Sequence, residues 1–508
     1  MKLATQDMIP KIDSFAESEL GLSTVTLMGR SGEAVARAAA GLAPEGGKIL
    51  ILAGRGNNGG DGYAAAVSLA PRYRVTVYDV FSAGQRSEAG KHWLAMAQRS
   101  GAKIIPMTDL ATVESEIMSA DLVVDAIFGT GLSGEVPDRV VSLAAAIGRS
   151  EAKKLAVDIP LGINGDSGTA ASYAYKSDVT VALSYPKAGL YSYPARSFVG
   201  DVVCDSLGID DCEVSRKFVF NRFFTDKEEA KRLLPHRPIN SNKATYGRVL
   251  LLVGSDEYRG AAHLALEAAL RGGTGYVTYM GEEELCRELR MKFPEALYST
   301  HCDKQSVVSA SADKSAVLLG SGSGTSEEVC RLAEALLSEE GAPLILDADA
   351  INSIARFGSL SDIKRSRRPV ILTPHPLEFS RISGIDTEYI NAHRLEVAER
   401  FARELGCILL LKGAATVITD GTHTYINGSG NTALAKAGSG DVLAGLTAAL
   451  CASSYAGGAR STEELLGSVA LAAYIHGRAG DTLSAELSEF GVTPSDLPLA
   501  CARAIAEL

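Results

Sequence analysis

The sequence predicts a two-domain α/β protein, with a parallel sheet covered on both faces in its first half and a second α/β set following. Three observations carry this. At 508 residues the chain exceeds one ordinary core. Short, continuous Val/Ile/Leu runs alternate with helical-period stretches in both halves. The 51 glycines are spread along the chain, many at the ends of those runs, and never form a low-complexity tract.

In the first half, a helical segment "SGEAVARAAAGL" precedes strands expected at 48–54, 74–80, 102–107, 122–129, 154–160 and 178–184. Runs such as "KILILAG" and "LVVDAIFG" are apolar throughout, as strands buried on both faces must be. Stretches such as "EAGKHWLAMAQRSG" supply the helical spacing between them. Over 212–245 the pattern changes to a charged segment with two prolines near its end and no sheet periodicity. The domain boundary is placed there, near 215–225, giving domains 1–220 and 221–508. Six further apolar runs follow, from "GRVLLLVGS" to "CILLLKG". "TVITDGTHTYING" reads as a hairpin turning at "DGT". "DVLAGLTAALCASS" is a small-residue helix opening directly after "AGSG". The two halves carry different loop signatures, so they are not copies of one another.

A formal charge of -11 argues against nucleic acid or an anionic membrane as the main partner. The eight cysteines are scattered without C-x-x-C, the usage of reduced thiols in a cytoplasmic protein. The start of the chain lacks an apolar run, and no stretch approaches 18 uninterrupted apolar residues. Neither a signal peptide nor a membrane span is expected.

"AGRGNNGGDG" closes the first strand. Gly54, Gly56 and Gly59 satisfy G-x-G-x-x-G, and Asp79 lies 20 residues beyond Gly59, as a ribose-binding acid would. Asn57, Asn58 and Asp61 do not belong to such a fingerprint. They place amide and carboxylate groups at the carboxyl end of a parallel strand, where open α/β sheets bind ligands. "DAIFGTGLSGE" and "VDIPLGINGDSG" end neighbouring strands and bring Asp125 and Asp158 to the same edge. Each loop alone is an ordinary polar turn, but three on one edge point to a site. Lys187 in "SYPKAGL" adds a cation there.

Together these four motifs resemble the YjeF N-terminal domain, the NAD(P)HX epimerase family, over most of residues 1–210. The resemblance implies a Rossmann-like three-layer fold that interconverts the R and S epimers of hydrated NAD(P)H. Asn57, Asn58, Gly59, Gly60 and Asp61 would hold the substrate, with Gly129, Thr130, Gly131, Leu132, Ser133, Gly134 and Glu135. Asp158 would touch the hydrated ring and accept and donate a proton. Asn58, Asp125 and Leu161 would bind K+. Leu161 stands where the family usually has serine, so it can contribute only its backbone carbonyl.

In the second half, Gly438 and Gly440 leave N–H groups free just before a helix, a nest suited to a transferring phosphoryl group. Asp441 at its mouth can take a proton from an attacking hydroxyl. "LLKGAATVI" ends a strand with Lys412, Gly413 and Thr416, groups that can bracket phosphates. His375 is held between prolines in "TPHPLEF". Asp347, Asp349 and Asn352 of "LDADAIN" suit either Mg2+ through water or helix capping.

With "NKATYGRVLLLVGS" and "YRGAAHLA", these motifs resemble the YjeF C-terminal domain, the ADP/ATP-dependent NAD(P)HX dehydratase family of the ribokinase-like superfamily, over 235–508. The resemblance implies that the nucleotide, carried with Mg2+, is bound by two segments. One comprises Lys412, Gly413, Ala414, Ala415 and Thr416. The other comprises Asn431, Thr432, Ala433, Leu434, Ala435, Lys436, Ala437, Gly438, Ser439 and Gly440. Ala262, Gly322, His375 and Asp441 would contact the hydrated dinucleotide. The family phosphorylates the ring hydroxyl and then expels phosphate, which restores NAD(P)H. ADP is the expected donor, and a homo-oligomer is expected.

Two other readings stand beside this bifunctional repair enzyme. A ribokinase-like small-molecule kinase would accumulate a phosphorylated product. A binding or scaffolding role for the first domain is the non-enzymatic alternative. A dehydrogenase ranks last, since nothing suggests a hydride-transfer pocket.

Overall fold

The apolar runs of the first half form one parallel sheet of seven strands. Their spatial order is Lys103–Pro106, Arg74–Asp79, Lys48–Ala53, Leu122–Ala126, Lys153–Val157, Val179–Leu183 and Asp201–Asp205. The computed structural model describes residues 1–81, 85–130 and 136–508. They divide into two units, Lys2–Phe220 and, with Met1, Asn221–Leu508.

Alternation along each central strand serves two helix layers. Leu50 and Leu52 share a core with Val113 and Ile117 of the helix Leu110–Met118 and Val140 and Leu143 of the helix Asp138–Arg149. Ile51 and Ala53 point the other way, against Gly62 of the helix Asn57–Leu69. Strand order reverses between Lys48–Ala53 and Leu122–Ala126, so the segments leaving these two ends diverge and open a crevice.

Several expected runs stop short. The strand from Leu122 ends at Ala126, because the Asp125 carboxylate accepts the Ile127 N–H at 3.1 Å and turns the chain. That from Lys153 ends at Val157, because Asp158 takes a φ of +67°. Residues 57–61, expected in a loop, are the first turns of a helix. The strand Asp201–Asp205 was not expected; it is a half-exposed edge with an acid at each end.

The second unit carries the order Arg222–Thr225, Thr424–Asn427, Val417–Thr419, Ile408–Leu411, Val370–Leu372, Leu344–Leu346, Ala316–Leu319, Arg248–Leu252, Tyr276–Met280, Leu297–Ser299. All pairs are parallel except those made by Val417–Thr419 with its two neighbours, the expected hairpin. The segment 212–245, expected without sheet structure, holds the edge strand Arg222–Thr225 and the helix Lys227–Leu233. The helix Ser439–Ala456 is buried on every side from Val442 to Ala452, which explains its small, apolar composition. Among the described residues, no helix is long and apolar enough to cross a membrane.

Gly59 fixes how the first site is built. A Cβ there would lie 1.9 Å from the Gly54 carbonyl oxygen, so only glycine lets the helix start directly on the strand end. Gly59→Ala is expected to destabilise the first unit by about 3 kcal/mol through overpacking. Urea melts followed by fluorescence read that unit selectively, because the single tryptophan, Trp93, lies in its helix Glu88–Arg99. An unchanged midpoint would contradict the packing described.

Candidate active sites

A cavity of about 820 Å³ opens at the carboxyl ends of the first sheet, lined by Asn57, Asn58, Asp61, Gly129, Thr130 and Asp158 among others. Gly59 and Gly60 shape the helix start without lining it. Gly131, Leu132, Ser133, Gly134 and Glu135 lie outside the described residues. Asn58 donates from Nδ2 to the Phe128 carbonyl at 2.9 Å. The point where a side chain on residue 129 would begin lies 3.1 Å from Asn58 Oδ1 and 3.3 Å from Asp158 Oδ2. Two oxygens thus converge there on bare backbone.

Asp158 is held from behind. Lys187, wholly buried, donates from Nζ to Asp158 Oδ1 at 2.5 Å and to the Leu183 carbonyl at 3.3 Å. The Leu183 N–H also donates to Asp158 Oδ1, at 3.3 Å. Oδ2 is the oxygen that faces Gly129. Three more carboxyls, Asp13, Glu17 and Asp61, line the cavity. Burial raises Asp61 well above the usual carboxylate range, and the Asp158 charge adds to it. Asp13 is pushed up to about 6, mainly by burial, with Lys187 opposing and Asp158 reinforcing the rise.

Asp125, expected beside these groups, sits beneath them in the sheet, 1% exposed and outside the cavity lining. Its Oδ2 accepts Tyr175 OH at 2.6 Å and the Leu161 N–H at 3.0 Å, and its Oδ1 accepts the Ile127 N–H. Burial raises its carboxyl against those three donors. The Leu161 side chain is buried in the core. Among the described residues Asn58 Oδ1 accepts no hydrogen bond and Asp125 Oδ1 accepts a single N–H, so both oxygens keep lone pairs of the kind a monovalent cation takes. Asp79, spaced like a ribose-binding acid, is ion-paired with Arg86.

In the second unit, Gly438 takes a φ of +102° and turns the chain into the helix Ser439–Ala456. Asp441 lies in its first turn, pushed up to about 7 by burial and then by Asp347, with Lys412 opposing. Lys412 Nζ donates to Asp347 Oδ1 at 3.0 Å, lies 3.9 Å from Glu378 Oε2, and comes within 3.4 Å of the Cβ position on Gly440. A half-buried ammonium thus stands beside the helix N-terminus. Burial works against its charge, but Asp347 and Glu378 overcome that and raise it.

His375 caps the helix Pro376–Ser383. Its Nδ1 accepts the Leu377 and Glu378 N–H groups at 3.2 Å each, and Glu378 accepts its backbone N–H at 2.8 Å. Nδ1 therefore carries no proton, and Nε2 does. Ala262 is fully buried against Gly254, and Gly322 turns at a φ of +65° over Ala261 and Tyr258.

The side chains of "LDADAIN" make hydrogen bonds to neighbouring loops and helices. Asp347 accepts Ser321 Oγ and Thr373 Oγ1, each at 2.7 Å. Asp349 accepts the Gly324 N–H at 2.9 Å and Thr325 Oγ1 at 3.1 Å, and Asn352 accepts Arg381 at 2.9 Å. Among the described residues, no group of three His, Cys, Asp or Glu side chains is arranged to hold a metal ion.

The segment Asn431–Gly440 is strapped down by residues far along the chain. Asn431 donates to Asp481 at 2.9 Å and Ser484 at 2.8 Å, Thr432 donates to Glu489, and Lys436 donates to the Phe490 carbonyl at 2.7 Å. Ser439 Oγ meets His476 Nε2 at 3.1 Å. Burial lowers His476 to about 4, so the ring is neutral. Thr416 Oγ1 donates to the Gly413 carbonyl at 2.9 Å, and Arg394 supports the same turn through the Lys412 carbonyl at 3.1 Å. Asp13, Glu378, Arg394, His476 and Asp481 are absent from the sequence-derived sites. Only Glu378 carried a local signal, three residues after a capping His375.

The Lys187–Asp158 pair gives a direct expectation. Lys187→Met leaves a buried carboxylate without its cation and should cost the first unit about 3–5 kcal/mol in Trp93-monitored urea melts. A loss below about 1 kcal/mol would contradict a buried pair.

A family model described as NAD(P)H-hydrate dehydratase matches residues 249–502, and one described as YjeF-related protein N-terminus matches 24–189. The chain is 32% identical to the bifunctional NAD(P)H-hydrate repair enzyme of Moorella thermoacetica, over 98% of this chain and 95% of that one. It is 33% identical to that of Coxiella burnetii, over 94% of each chain. For the Escherichia coli enzyme the identity is 31%, over 97% and 91%. The solved ADP/ATP-dependent NAD(P)H-hydrate dehydratase of Bacillus subtilis, co-crystallised with ATP and Mg2+, matches 57% of this chain and 99% of its own, at 31% identity and a TM-score of 0.50. A ribokinase-like superfamily protein of Enterococcus faecalis matches 57% and 97%, at 25% identity and the same TM-score of 0.50. The second unit therefore has the ribokinase-like fold. By full-length identity and by both family models, the chain belongs to the bifunctional NAD(P)H-hydrate repair enzymes.

Proposed function

We propose that the chain repairs hydrated NAD(P)H at two sites, epimerising it at the first and dehydrating the S form at the second. The observation that carries this is the presence of both family domains in one chain, each with an aspartate at a strand end ion-paired to a lysine.

Hydration of a dihydronicotinamide puts a hydroxyl on the carbon next to the ring nitrogen. The nitrogen lone pair can expel that hydroxyl once it is protonated, and water returns to either face. Asp158 Oδ2, which faces the cavity, gives and takes the proton, while Lys187 fixes its position. Asn57, Asn58, Asp61, Gly129 and Thr130 hold the dinucleotide in a cavity of suitable size, together with Gly59, Gly60 and residues 131–135. Asn58 Oδ1, Asp125 and the Leu161 carbonyl would hold K+, which supplies a fixed positive charge when bound.

At the second site, Asp441 accepts the proton of the ring hydroxyl as that oxygen attacks the terminal phosphoryl group. The N–H groups of "AGSG", the helix dipole and Lys412 stabilise the transferring charge. Loss of phosphate with a ring proton then restores the double bond. Lys412–Thr416 and 431–440 hold the nucleotide, ADP by preference, and Ala262, Gly322 and His375 with Asp441 contact the hydrate. Mg2+ arrives on the nucleotide phosphates, as expected of an ion that keeps water and phosphate ligands. The active species is a homo-oligomer.

The test is recovery of NADH absorbance and release of phosphate from separately supplied R and S hydrates with ADP or ATP; a stable phosphorylated product would sink the proposal. Asp441 must be ionised to act, so kcat/KM on the S form should rise about tenfold per pH unit up to about pH 7 and level off above it. Asp441→Asn should lower kcat at least about 100-fold at pH 8. Asp158→Ala should leave S-form recovery at its normal rate and slow only the R form.

A further inference from the structure

We infer that Asp13 is a second catalytic residue of the epimerase site, exchanging a proton with the substrate hydroxyl from a different wall of the cavity than Asp158. This assignment rests on the epimerase reading above and adds a residue to it.

Asp13 comes from the helix Ile9–Ser18, whose two sides are used differently. Ile12 and Ala16 are completely buried, while Ile9, Pro10, Asp13, Ser14 and Glu17 line the cavity. That spacing is one helical face. Asp158 instead stands at the end of the strand Lys153–Val157. One helix and one strand end therefore carry carboxyls into the same space.

The two carboxyls differ in how they are held. Asp158 Oδ1 takes Lys187 and the Leu183 N–H. Asp13 has no hydrogen-bond partner among the described residues, and the charged groups near it are Lys187, Asp158 and Asp61. Its carboxyl thus faces the catalytic pair across open cavity. Of the other acids on the cavity wall, Asp61 is 7% exposed in the first turn of the helix Asn57–Leu69, and Glu17 accepts the Thr24 N–H at 3.2 Å. A carboxyl at about 6 also populates both protonation states near neutrality.

Inversion of one carbon explains why two groups are needed. The oxygen that leaves and the oxygen that arrives lie on opposite faces of the ring, and a carboxylate pinned as Asp158 is reaches one of them. In one direction, Asp13 gives its proton to the leaving hydroxyl, the C–O bond breaks, and the ring nitrogen lone pair forms a C=N bond as water departs. Water then adds to the other face, the C=N pair returns to nitrogen, and the spare proton passes to the Asp158 carboxylate. Solvent exchange returns the proton from Asp158 to Asp13. The reverse reaction exchanges the two roles.

The experiment uses the full chain with purified R hydrate, and a Trp93-monitored urea melt of each variant reports that the first unit is folded. Asp13→Asn should lower the R-to-S kcat by at least about 100-fold and change KM by less than about threefold. Added formate should restore part of that rate, which a purely structural role would not permit. A loss below about tenfold, or a loss that formate leaves untouched, overturns the assignment of Asp13. Wild-type protein that does not interconvert the epimers overturns the epimerase reading and this assignment with it.

Discussion

The ion pair between Lys187 and Asp158 sets the geometry of the first site. An ammonium with no solvent exposure is costly to bury, and it persists because its carboxylate and a backbone carbonyl are both in reach. The pair spans the ends of two neighbouring strands, Lys153–Val157 and Val179–Leu183. It also holds Asp158 in a backbone conformation that non-glycine residues rarely take. Strand ends, left-handed turn and exposed Oδ2 are consequences of one contact.

The second unit reaches a related solution. Lys412 and Asp347 are paired across the end of the intervening strand Val370–Leu372, and Ser321 and Thr373 also donate to Asp347. Here the lysine also stands at a helix N-terminus, where like charge would be disfavoured. Asp347 and Glu378 offset that. Burial first, and then the neighbouring carboxylates, hold Asp441 higher than an exposed aspartate.

How much of this was legible in the sequence depended on where each residue's environment comes from. Strands buried on both faces write their burial into local composition, so "ILILA" and "LVVDA" were readable. Asp201–Asp205 and Arg222–Thr225 are not, because edge strands need no apolar run. "GNNGGDG" read as a turn on composition. Close packing of Gly59 on Gly54 and Gly62 on Ile51 makes it a helix instead. Loop motifs likewise announced Asp158, Lys412 and Asp441. Asp13, His476 and Asp481 come from ordinary amphipathic or buried helices, and only the fold brings them to a site.

The bare carboxyl of Asp13 bears on a problem of selectivity. A repair enzyme meets its damaged substrate amid a large pool of intact cofactor that differs by one molecule of water. On the assignment made for Asp13, the hydroxyl of the hydrate fills an otherwise empty hydrogen-bonding position in the cavity. The intact ring offers nothing there and would leave a desolvated polar group unsatisfied. Sites of that kind reject the analogue lacking the group far more strongly than shape alone can. The unfilled valence on the cavity wall would then keep healthy NAD(P)H from occupying the enzyme.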